Sequence, residues 1–144
     1  MKQQQIAGFY VSGACVRTSN AAETGPGGRI PGLWGSFFAS QPDLSQRMYG
    51  VYSHYESDLH GEFNVTAGVK AGTDTQPGVH IQSGSYLAFP AQGAMPDAII
   101  QTWQTIWEHF AHQHEYERAY GTDFEEYLGP ESGMIYIGIK PRSL

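Results

Sequence analysis

The chain has 144 residues, with 8 Lys and Arg against 14 Asp and Glu, which gives a formal net charge of −6. This length predicts one domain over residues 1–144, without a linker and large enough to bury a core. The few basic residues are spread thinly, which argues against direct nucleic-acid binding, and no apolar run is long enough to cross a membrane. The chain starts Met1-Lys2-Gln3, without the apolar stretch of a secretory signal, and it has a single cysteine, Cys15. We therefore expect a cytoplasmic protein without disulfides, with a reduced and buried thiol.

The first half of the chain predicts a β-α-β-β unit. Residues 9–18 are rich in strand formers, and the small polar residues 19–23 signal a stop or a helix cap. A helix follows at 30–38, because apolar residues recur there with helical spacing. Strands at 49–55 and 63–70, joined by a polar turn with glycine, complete the unit.

The second half predicts the same order of elements. Residues 79–89 read as one strand, with a bulge at Ser83-Gly84. Pro96 suits the first turn of a helix with a wide apolar face over residues 99–110. Strands at 116–128 and 134–140 follow, so the second unit is also β-α-β-β.

Two sets of residues recur in the second half of the chain at an offset of roughly 70 residues. They are Ile30, Trp34 and Phe38, which recur as Ile99, Trp103 and Trp107, and Ala67-Gly68-Val69-Lys70, which recurs as Ile137-Gly138-Ile139-Lys140. The sequence thus predicts an α+β fold of tandem β-α-β-β repeats, at about 8–71 and about 78–142, with pseudo-two-fold symmetry, an antiparallel sheet and two main helices. A central cleft between two such units is a preferred place for a small-molecule site.

Acidic and aromatic residues are concentrated on two of the predicted strands. Period-2 alternation places Asp123, Glu125 and Tyr127 on one face of the 116–128 strand. A covered carboxylate there needs a raised pKa or a cationic partner, which suits a ligand site, whereas a solvent-facing strand with ordinary acidic residues is the alternative. On the equivalent strand of the first unit, alternation groups Tyr52 with Glu56. Tyrosines and carboxylates that share a cleft attract delocalised organic cations through cation–π and charge interactions.

The sequence gives only weak evidence for any other kind of functional site. Most rings on the two predicted helices are expected to pack in the core, with Trp103 or Trp107 presenting a ring edge to the cleft. His109, His112 and His114 lack the spacing of a metal motif, and the chain contains no P-loop and no activated nucleophile motif. We therefore predict no metal and no cofactor.

The motifs of the chain also indicate a family. They are Arg17-Thr18-Ser19-Asn20, Ile30 with Leu33-Trp34, Tyr49-Gly50-Val51-Tyr52, Tyr55-Glu56-Ser57-Asp58, Gly84-Ser85-Tyr86 with Phe89, Gly93-Ala94-Met95-Pro96, Trp103, Trp107, and Tyr120-Gly121-Thr122-Asp123-Phe124-Glu125 with Tyr127. Across nearly its whole length the chain resembles the GyrI-like effector-binding domains, the ligand-sensing half of AraC-type and multidrug-responsive regulators. It most resembles the stand-alone, integron-associated effector-binding proteins.

This resemblance implies a ligand and a site. An acidic residue of the family's multidrug sensors pairs with the positive charge of the drug; that position falls on Glu125, and the tyrosine that follows it falls on Tyr127. The predicted ligand-binding residues are Glu125, Tyr127, Tyr52, Trp103, Trp107, Glu56, Tyr55 and Phe38, and Glu126 is a further secondary candidate. The implied function is non-catalytic binding of amphipathic organic cations or drugs in an aromatic, acidic cleft.

Two other functions stay open. Some relatives hydrolyse strained or activated small molecules on this scaffold with a cleft carboxylate, and the family's name-giving member suggests an interaction protein that inhibits another macromolecule. The sequence shows no helix-turn-helix segment, so the resemblance implies transcriptional regulation only through a partner. The predicted partners are a cationic, aromatic small molecule together with either a separate DNA-binding protein or a second copy of the chain.

Overall fold

We describe the protein from a computed structural model that covers residues 2–40, 42, 45–71, 78–112 and 115–141. Its elements are β1 (Lys2–Ile6), β2 (Phe9–Ser19), α1 (Asn20–Glu23), α2 (Ile30–Ala39), β3 (Met48–Ser53), β4 (Glu62–Ala71), β5 (Gly78–Ile81), β6 (Gly84–Gln92), α3 (Asp97–Ala111), β7 (Tyr116–Gly129) and β8 (Ser132–Pro141). The α+β class with an antiparallel sheet and two main helices is confirmed.

The eight strands form one antiparallel sheet in the order β1-β6-β8-β7-β3-β4-β2-β5. This order is symmetric about the β7–β3 pair. Outward from that pair, the strands of the second half are β7, β8 and β6, and the corresponding strands of the first half are β3, β4 and β2. β1 pairs with β6 and β5 pairs with β2, so the leading strand of each half extends the sheet of the other half. The two halves therefore meet along a seam between β3 and β7.

The predicted single strand over residues 79–89 is wrong, and so is its bulge at Ser83-Gly84. β5 ends at Ile81, and β6 starts at Gly84, whose φ of +152° favours glycine. The chain crosses there from the first half of the sheet to the second, because β5 pairs with β2 whereas β6 pairs with β8. The segment between Ile81 and Gly84 therefore connects two strands that pair with different partners.

Both long helices pack on one face of the sheet. α2 lies against β2 and β4, and α3 lies against β6, β8 and β7. Leu33 and Phe37 of α2 and Ile99, Trp103 and Ile106 of α3 enter the larger core cluster. Side chains of the two helices and of the seam strands fill the space over β3 and β7. Within the described residues, no helix is long and apolar enough to span a bilayer.

The opposite face has a second core, which forms because the sheet is curled. The rings of Phe124 and Tyr136 stack at 4.6 Å, and Phe9 of β2 packs edge-on against Phe124 at 5.6 Å. The curl needs the paired glycines Gly13 and Gly68: a Cβ at Gly13 would lie 1.9 Å from the carbonyl oxygen of Ala67, and a Cβ at Gly68 would lie 2.2 Å from that of Ser12.

The expectation of a buried thiol is wrong. Cys15 is exposed. It lies on the same face of β2 as Val11, but β5, which pairs with β2 only as far as Ser12, ends before it. The second core covers Val11 and leaves Cys15 open to solvent.

Candidate functional site

The centre of the candidate site is the carboxylate of Glu125 on β7. This residue is 2% exposed. Its Oε2 accepts hydrogen bonds from the Tyr52 hydroxyl at 2.6 Å and from Trp103 Nε1 at 2.8 Å. Its Oε1 accepts one from the Tyr127 hydroxyl at 2.7 Å. Donors from β3, α3 and β7 thus converge on one buried carboxylate at the seam.

A glycine makes room for this carboxylate. Gly50 of β3 is the register partner of Glu125 across the seam. A Cβ on Gly50 would lie 2.6 Å from Glu125 Oε1 and 3.3 Å from Cζ2 of Trp34. Because Gly50 has no side chain, the Glu125 carboxylate and the Trp34 ring can both lie close to the β3 backbone.

The electrostatics of the site are set by burial. Burial raises the pKa of Glu125 above its ordinary value of 4.5, although the hydrogen bonds from Tyr52, Tyr127 and Trp103 oppose the rise. Burial and the neighbouring carboxylate raise the pKa of Tyr52 and of Tyr127, so both hydroxyls stay protonated and act as donors. Among the described residues, no Lys, Arg or His forms an ion pair with Glu125. The carboxylate is therefore hydrogen-bonded, but the described part of the chain gives it no counter-charge.

Aromatic rings surround Glu125 from both helices. The Trp34 ring packs edge-on against Tyr127 at 5.2 Å, and the Tyr52 ring packs edge-on against Trp103 at 4.9 Å. Trp107 extends this second pair along α3, at 6.2 Å from Trp103. Two rings at the periphery reach solvent, Phe38 with 45% and Trp107 with 36% of its surface exposed.

A second buried carboxylate, Asp123, lies two residues before Glu125 on the same face and has a different environment. Its Oδ2 accepts a hydrogen bond from Arg118 Nη2 at 2.7 Å and another from the Tyr55 hydroxyl, and its Oδ1 accepts one from the Gly138 amide at 2.8 Å. Burial opposes the charge of Arg118, but the Asp123 carboxylate, Tyr55 and Tyr120 together outweigh burial and raise the pKa of the guanidinium. Asp123 is therefore neutralised by Arg118, whereas none of the residues that the structure describes neutralises Glu125.

The structure brings together some of the predicted ligand-binding residues and separates others. Glu125, Tyr127, Tyr52 and Trp103 share one hydrogen-bonded cluster, with Trp107 beside it. Phe38 lies at its periphery, 6.1 Å from the Trp34 ring. Tyr55 donates instead to Asp123.

The predicted grouping of Tyr52 with Glu56 on one strand face is wrong. β3 ends at Ser53, and His54 has a φ of +53°, which takes the chain out of the strand before Glu56. Glu56 is exposed in the connection to β4. Glu126, the secondary candidate, faces the other side of the sheet, where it accepts hydrogen bonds from Tyr49, Tyr136 and Arg47.

The sequence reasoning missed three contributors to the site: Trp34, Gly50 and the Arg118–Asp123 pair. Gly50 had a usable signal, because a glycine inside a strand often marks a close approach of other groups. The Arg118–Asp123 pair had none, because a register shift between these two residues breaks the alternation of β7. No cluster of His, Cys, Asp and Glu suited to a metal ion occurs among the residues that the structure describes, and His114 lies outside them.

Fold and site define a class of protein: small effector-binding domains with a curled antiparallel sheet and two helices on one of its faces. The chain belongs to the family of integron-associated effector binding proteins called Cass2, whose family model matches residues 4–139. A solved relative is the integron cassette protein VCH_CASS2 from the mobile metagenome of Vibrio cholerae. It is 35% identical, with a TM-score of 0.87 over 96% of this chain and 95% of that one.

Two further proteins are similar over most of their length. YobU of Bacillus subtilis (strain 168), named as a candidate transcriptional regulator, is 28% identical over 148 residues, which cover 90% of this chain and 91% of YobU. SAV2435, solved bound to tetraphenylphosphonium, is 18% identical, with a TM-score of 0.74 over 96% of this chain and 93% of that one. The likeness to SAV2435 establishes a shared fold.

Proposed function

We propose that this protein is an effector-binding module that holds amphipathic organic cations beside Glu125, between α2 and α3. One observation carries the proposal: Glu125 is a buried carboxylate among aromatic rings without an ion-pair partner in the described residues. A buried charge of this kind is costly unless it is compensated. An organic cation supplies the missing charge, and its apolar groups suit the rings.

Four residues make the inner contacts in this proposal: Glu125 for charge, and Tyr52, Tyr127 and Trp103 for stacking and for orienting the carboxylate. Each cation–π contact adds on the order of 0.5–2 kcal/mol when water is excluded, so a few of them together with the charge of Glu125 and burial of the apolar groups give micromolar affinity for varied ligands. Entry of a ligand requires the half-buried ring of Tyr127 to swing away from Glu125. Phe38 and Trp107, the exposed rings, make the outer contacts.

Tyr55 and Glu56 have smaller parts. Tyr55 contributes through Asp123, whose carboxylate it contacts together with Arg118. Glu56 attracts cations only through the general negative field of the chain, because it is exposed beyond the end of β3. Support for the ligand class comes from SAV2435, a protein of the same fold that was solved with the delocalised cation tetraphenylphosphonium.

The test is calorimetric titration with tetraphenylphosphonium of the wild type, of Glu125→Gln and of Glu126→Gln. Glu125→Gln preserves the fold, because the amide oxygen can accept from Tyr52 and Trp103 while the amide nitrogen donates to the Tyr127 hydroxyl. Glu126→Gln is the matched control: it makes the same change in net charge one residue further along, on the opposite face.

The two variants are expected to differ sharply. Loss of a unit charge about 5 Å from the ligand, at an effective dielectric constant of about 20, costs about 3 kcal/mol, or roughly 200-fold in affinity. Glu126→Gln is expected to change affinity less than about threefold, because this charge is partly exposed and screened. Equal weakening in both variants would show that the ligand senses only the net charge, and the proposed site would be abandoned.

We further infer that the module acts by binding and not by turnover, and that it regulates transcription together with a separate DNA-binding protein. Both oxygens of Glu125 already accept hydrogen bonds, which favours a fixed counter-charge over a proton acceptor. The name of YobU supports the regulatory role. Chromatography of ligand-bound and ligand-free protein with candidate DNA-binding proteins tests the partner, and a screen of activated esters and epoxides tests turnover.

A further inference from the structure

A cavity of about 720 Å³ lies between the two halves of the chain, apart from the Glu125 carboxylate. One wall belongs to the first half and consists of α1 and of residues 59 and 60, which follow β3. The opposite wall belongs to the second half and consists of the end of α3 and the start of β7. The volume is within the range of small-molecule pockets and suits a molecule of two or three rings.

Apolar side chains that reach solvent line this cavity. Trp107, Phe110 and Tyr120 supply aromatic rings, and Leu59 supplies an aliphatic surface. Trp107 is 36% exposed and Leu59 is 40% exposed. A ligand that covers these side chains removes apolar surface from water, which favours binding. The indole of tryptophan is also the ring that attracts a cation most strongly.

The charged side chain that this wall offers to a ligand is Glu117. Its side chain is 33% exposed, and its Oε1 lies 3.7 Å from Nζ of Lys140. That distance is longer than a hydrogen bond, and Lys140, with 57% of its side chain exposed, is not a lining residue. An exposed pair of this kind contributes little to stability, so the carboxylate stays available to a cation in the cavity.

Arg118 also lines the cavity, but its positive charge is covered. The residue is 7% exposed, its Nη2 lies 2.7 Å from Asp123, and the Tyr120 ring lies over the guanidinium at 4.6 Å. Burial raises the pKa of Tyr120; Arg118 opposes this rise, whereas Asp58 and Asp123 add to it. Asp58 is exposed, so it adds a second accessible negative charge near this wall. A ligand in the cavity therefore meets rings and carboxylates.

We propose that this cavity is a second ligand site, which takes an aromatic cation of two or three rings. Trp107 contacts the rings of the ligand, and Glu117 supplies the counter-charge. Trp107 also packs against Trp103 at 6.2 Å, so it lies between this cavity and the Glu125 site. The proposal does not rest on the proposed function, because Glu117 and not Glu125 supplies the charge.

The test uses 1-methylquinolinium and 1-methylnaphthalene, in which an uncharged carbon replaces the charged nitrogen. ¹⁵N-labelled full-length protein is titrated with each probe at about pH 7.5, where an ordinary histidine is mostly uncharged. The backbone amides of Leu59, Ala111 and Glu117 are followed. The cation is expected to shift these signals saturably, and shifts confined to other parts of the chain would overturn the proposal.

A pair of charge variants tests the role of Glu117. Glu117→Gln is expected to weaken the cation about threefold to fivefold and to change the affinity of 1-methylnaphthalene less than about twofold. Glu131→Gln is the matched control, because Glu131 is exposed in the turn between β7 and β8, at the other end of β7. It is expected to change either affinity less than about twofold. Equal weakening of both probes by Glu117→Gln, or equal weakening of the cation by both variants, would refute the proposed counter-charge.

Further variants locate the site. Ala21 and Ala111 are exposed residues on opposite walls, so Ala21→Trp and Ala111→Trp fill the cavity without entering the core. Both are expected to abolish the shifts that 1-methylquinolinium causes at Leu59 and Glu117, whereas Glu125→Gln should leave these shifts and their midpoint unchanged. Loss of the shifts in Glu125→Gln, with retention in both tryptophan variants, would assign the probe to the Glu125 site and exclude a second site.

Discussion

Gly50→Ala is expected to disturb the Glu125 carboxylate directly, although it adds a single methyl group on the neighbouring strand. The new Cβ would lie 2.6 Å from Oε1 of Glu125. Carbon and oxygen atoms that are not bonded to one another need more than 3 Å, so the carboxylate must retreat by roughly half an ångström or more. The oxygen that moves is the one that accepts the 2.7 Å hydrogen bond from Tyr127.

The size of the effect follows from that hydrogen bond. A hydrogen bond to a charged group contributes about 1.5–3 kcal/mol, and a buried group that loses its partner forfeits this amount. Replacing Gly by Ala restricts the unfolded chain and returns about 0.4–1 kcal/mol. We therefore expect Gly50→Ala to lower the free energy of unfolding by about 1–2 kcal/mol. Gly32→Ala in α2 is the control, because its Cβ meets nothing within 4 Å, and it is expected to stabilise the protein.

A double-mutant cycle with Glu125→Ala identifies the cause. Urea denaturation is measured for the wild type, both single variants and the double variant. Without the carboxylate, the new methyl group loses its severe clash and keeps only the tight contact with Cζ2 of Trp34 at 3.3 Å, so Gly50→Ala should cost much less in the Glu125→Ala background. The same loss in both backgrounds would mean that the backbone of β3, and not the Glu125 carboxylate, requires glycine, and it would refute the idea that Gly50 makes room for the carboxylate.

Three further predictions concern other features. The raised pKa of Glu125 means that the folded chain binds this proton more tightly than the unfolded chain, so the free energy of unfolding should fall as pH rises from 4.5 to the folded-state pKa; urea titrations should show that Glu125→Gln lacks this component. Asp123→Asn leaves the buried guanidinium of Arg118 without a counter-charge and should cost about 3–5 kcal/mol in urea denaturation, against less than about 1 kcal/mol for Glu117→Gln in a more exposed pair. Gly13→Ala places a Cβ 1.9 Å from a backbone oxygen, which cannot move aside as a side chain can, so it should lower the melting temperature more than Gly50→Ala does.

The long elements could be predicted from the sequence because their signals are local. The helical spacing of apolar residues locates α2 and α3, and the strand formers of β4 and β8 lie between clear turns. The division between β5 and β6 could not be predicted, because it depends on pairing partners far away in the chain. β5 pairs with β2 and β6 pairs with β8, and nothing within residues 79–89 encodes that difference.

Residues of the candidate site could be predicted from the sequence only where their strands alternate regularly. Alternation holds from Asp123 to Tyr127, so the sequence alone places these side chains and Glu125 on one face. It fails before Asp123, where the register with β8 shifts after Arg118 and Tyr120 adopts a φ of +54°. The alternation fails again at His54, where the chain leaves β3, and Glu56 therefore does not lie at the site.

The strand order is symmetric about the seam, but the residues that β3 and β7 place there are chemically different. Across the β3–β7 pair, Glu125 faces Gly50 and Asp123 faces Tyr52, so β7 supplies both carboxylates while β3 supplies space and a hydroxyl. Carboxylates at both positions of such a pair would repel one another at close range, and a second acidic side chain in place of Gly50 would fill the space that Glu125 occupies. The asymmetric seam thus places one buried carboxylate, without an ion-pair partner in the described ranges, at the middle of a nearly symmetric fold, with a tryptophan from each helix beside it. In the function that we propose, a single positive charge on the ligand decides where the ligand lies, while the rings around Glu125 tolerate many shapes.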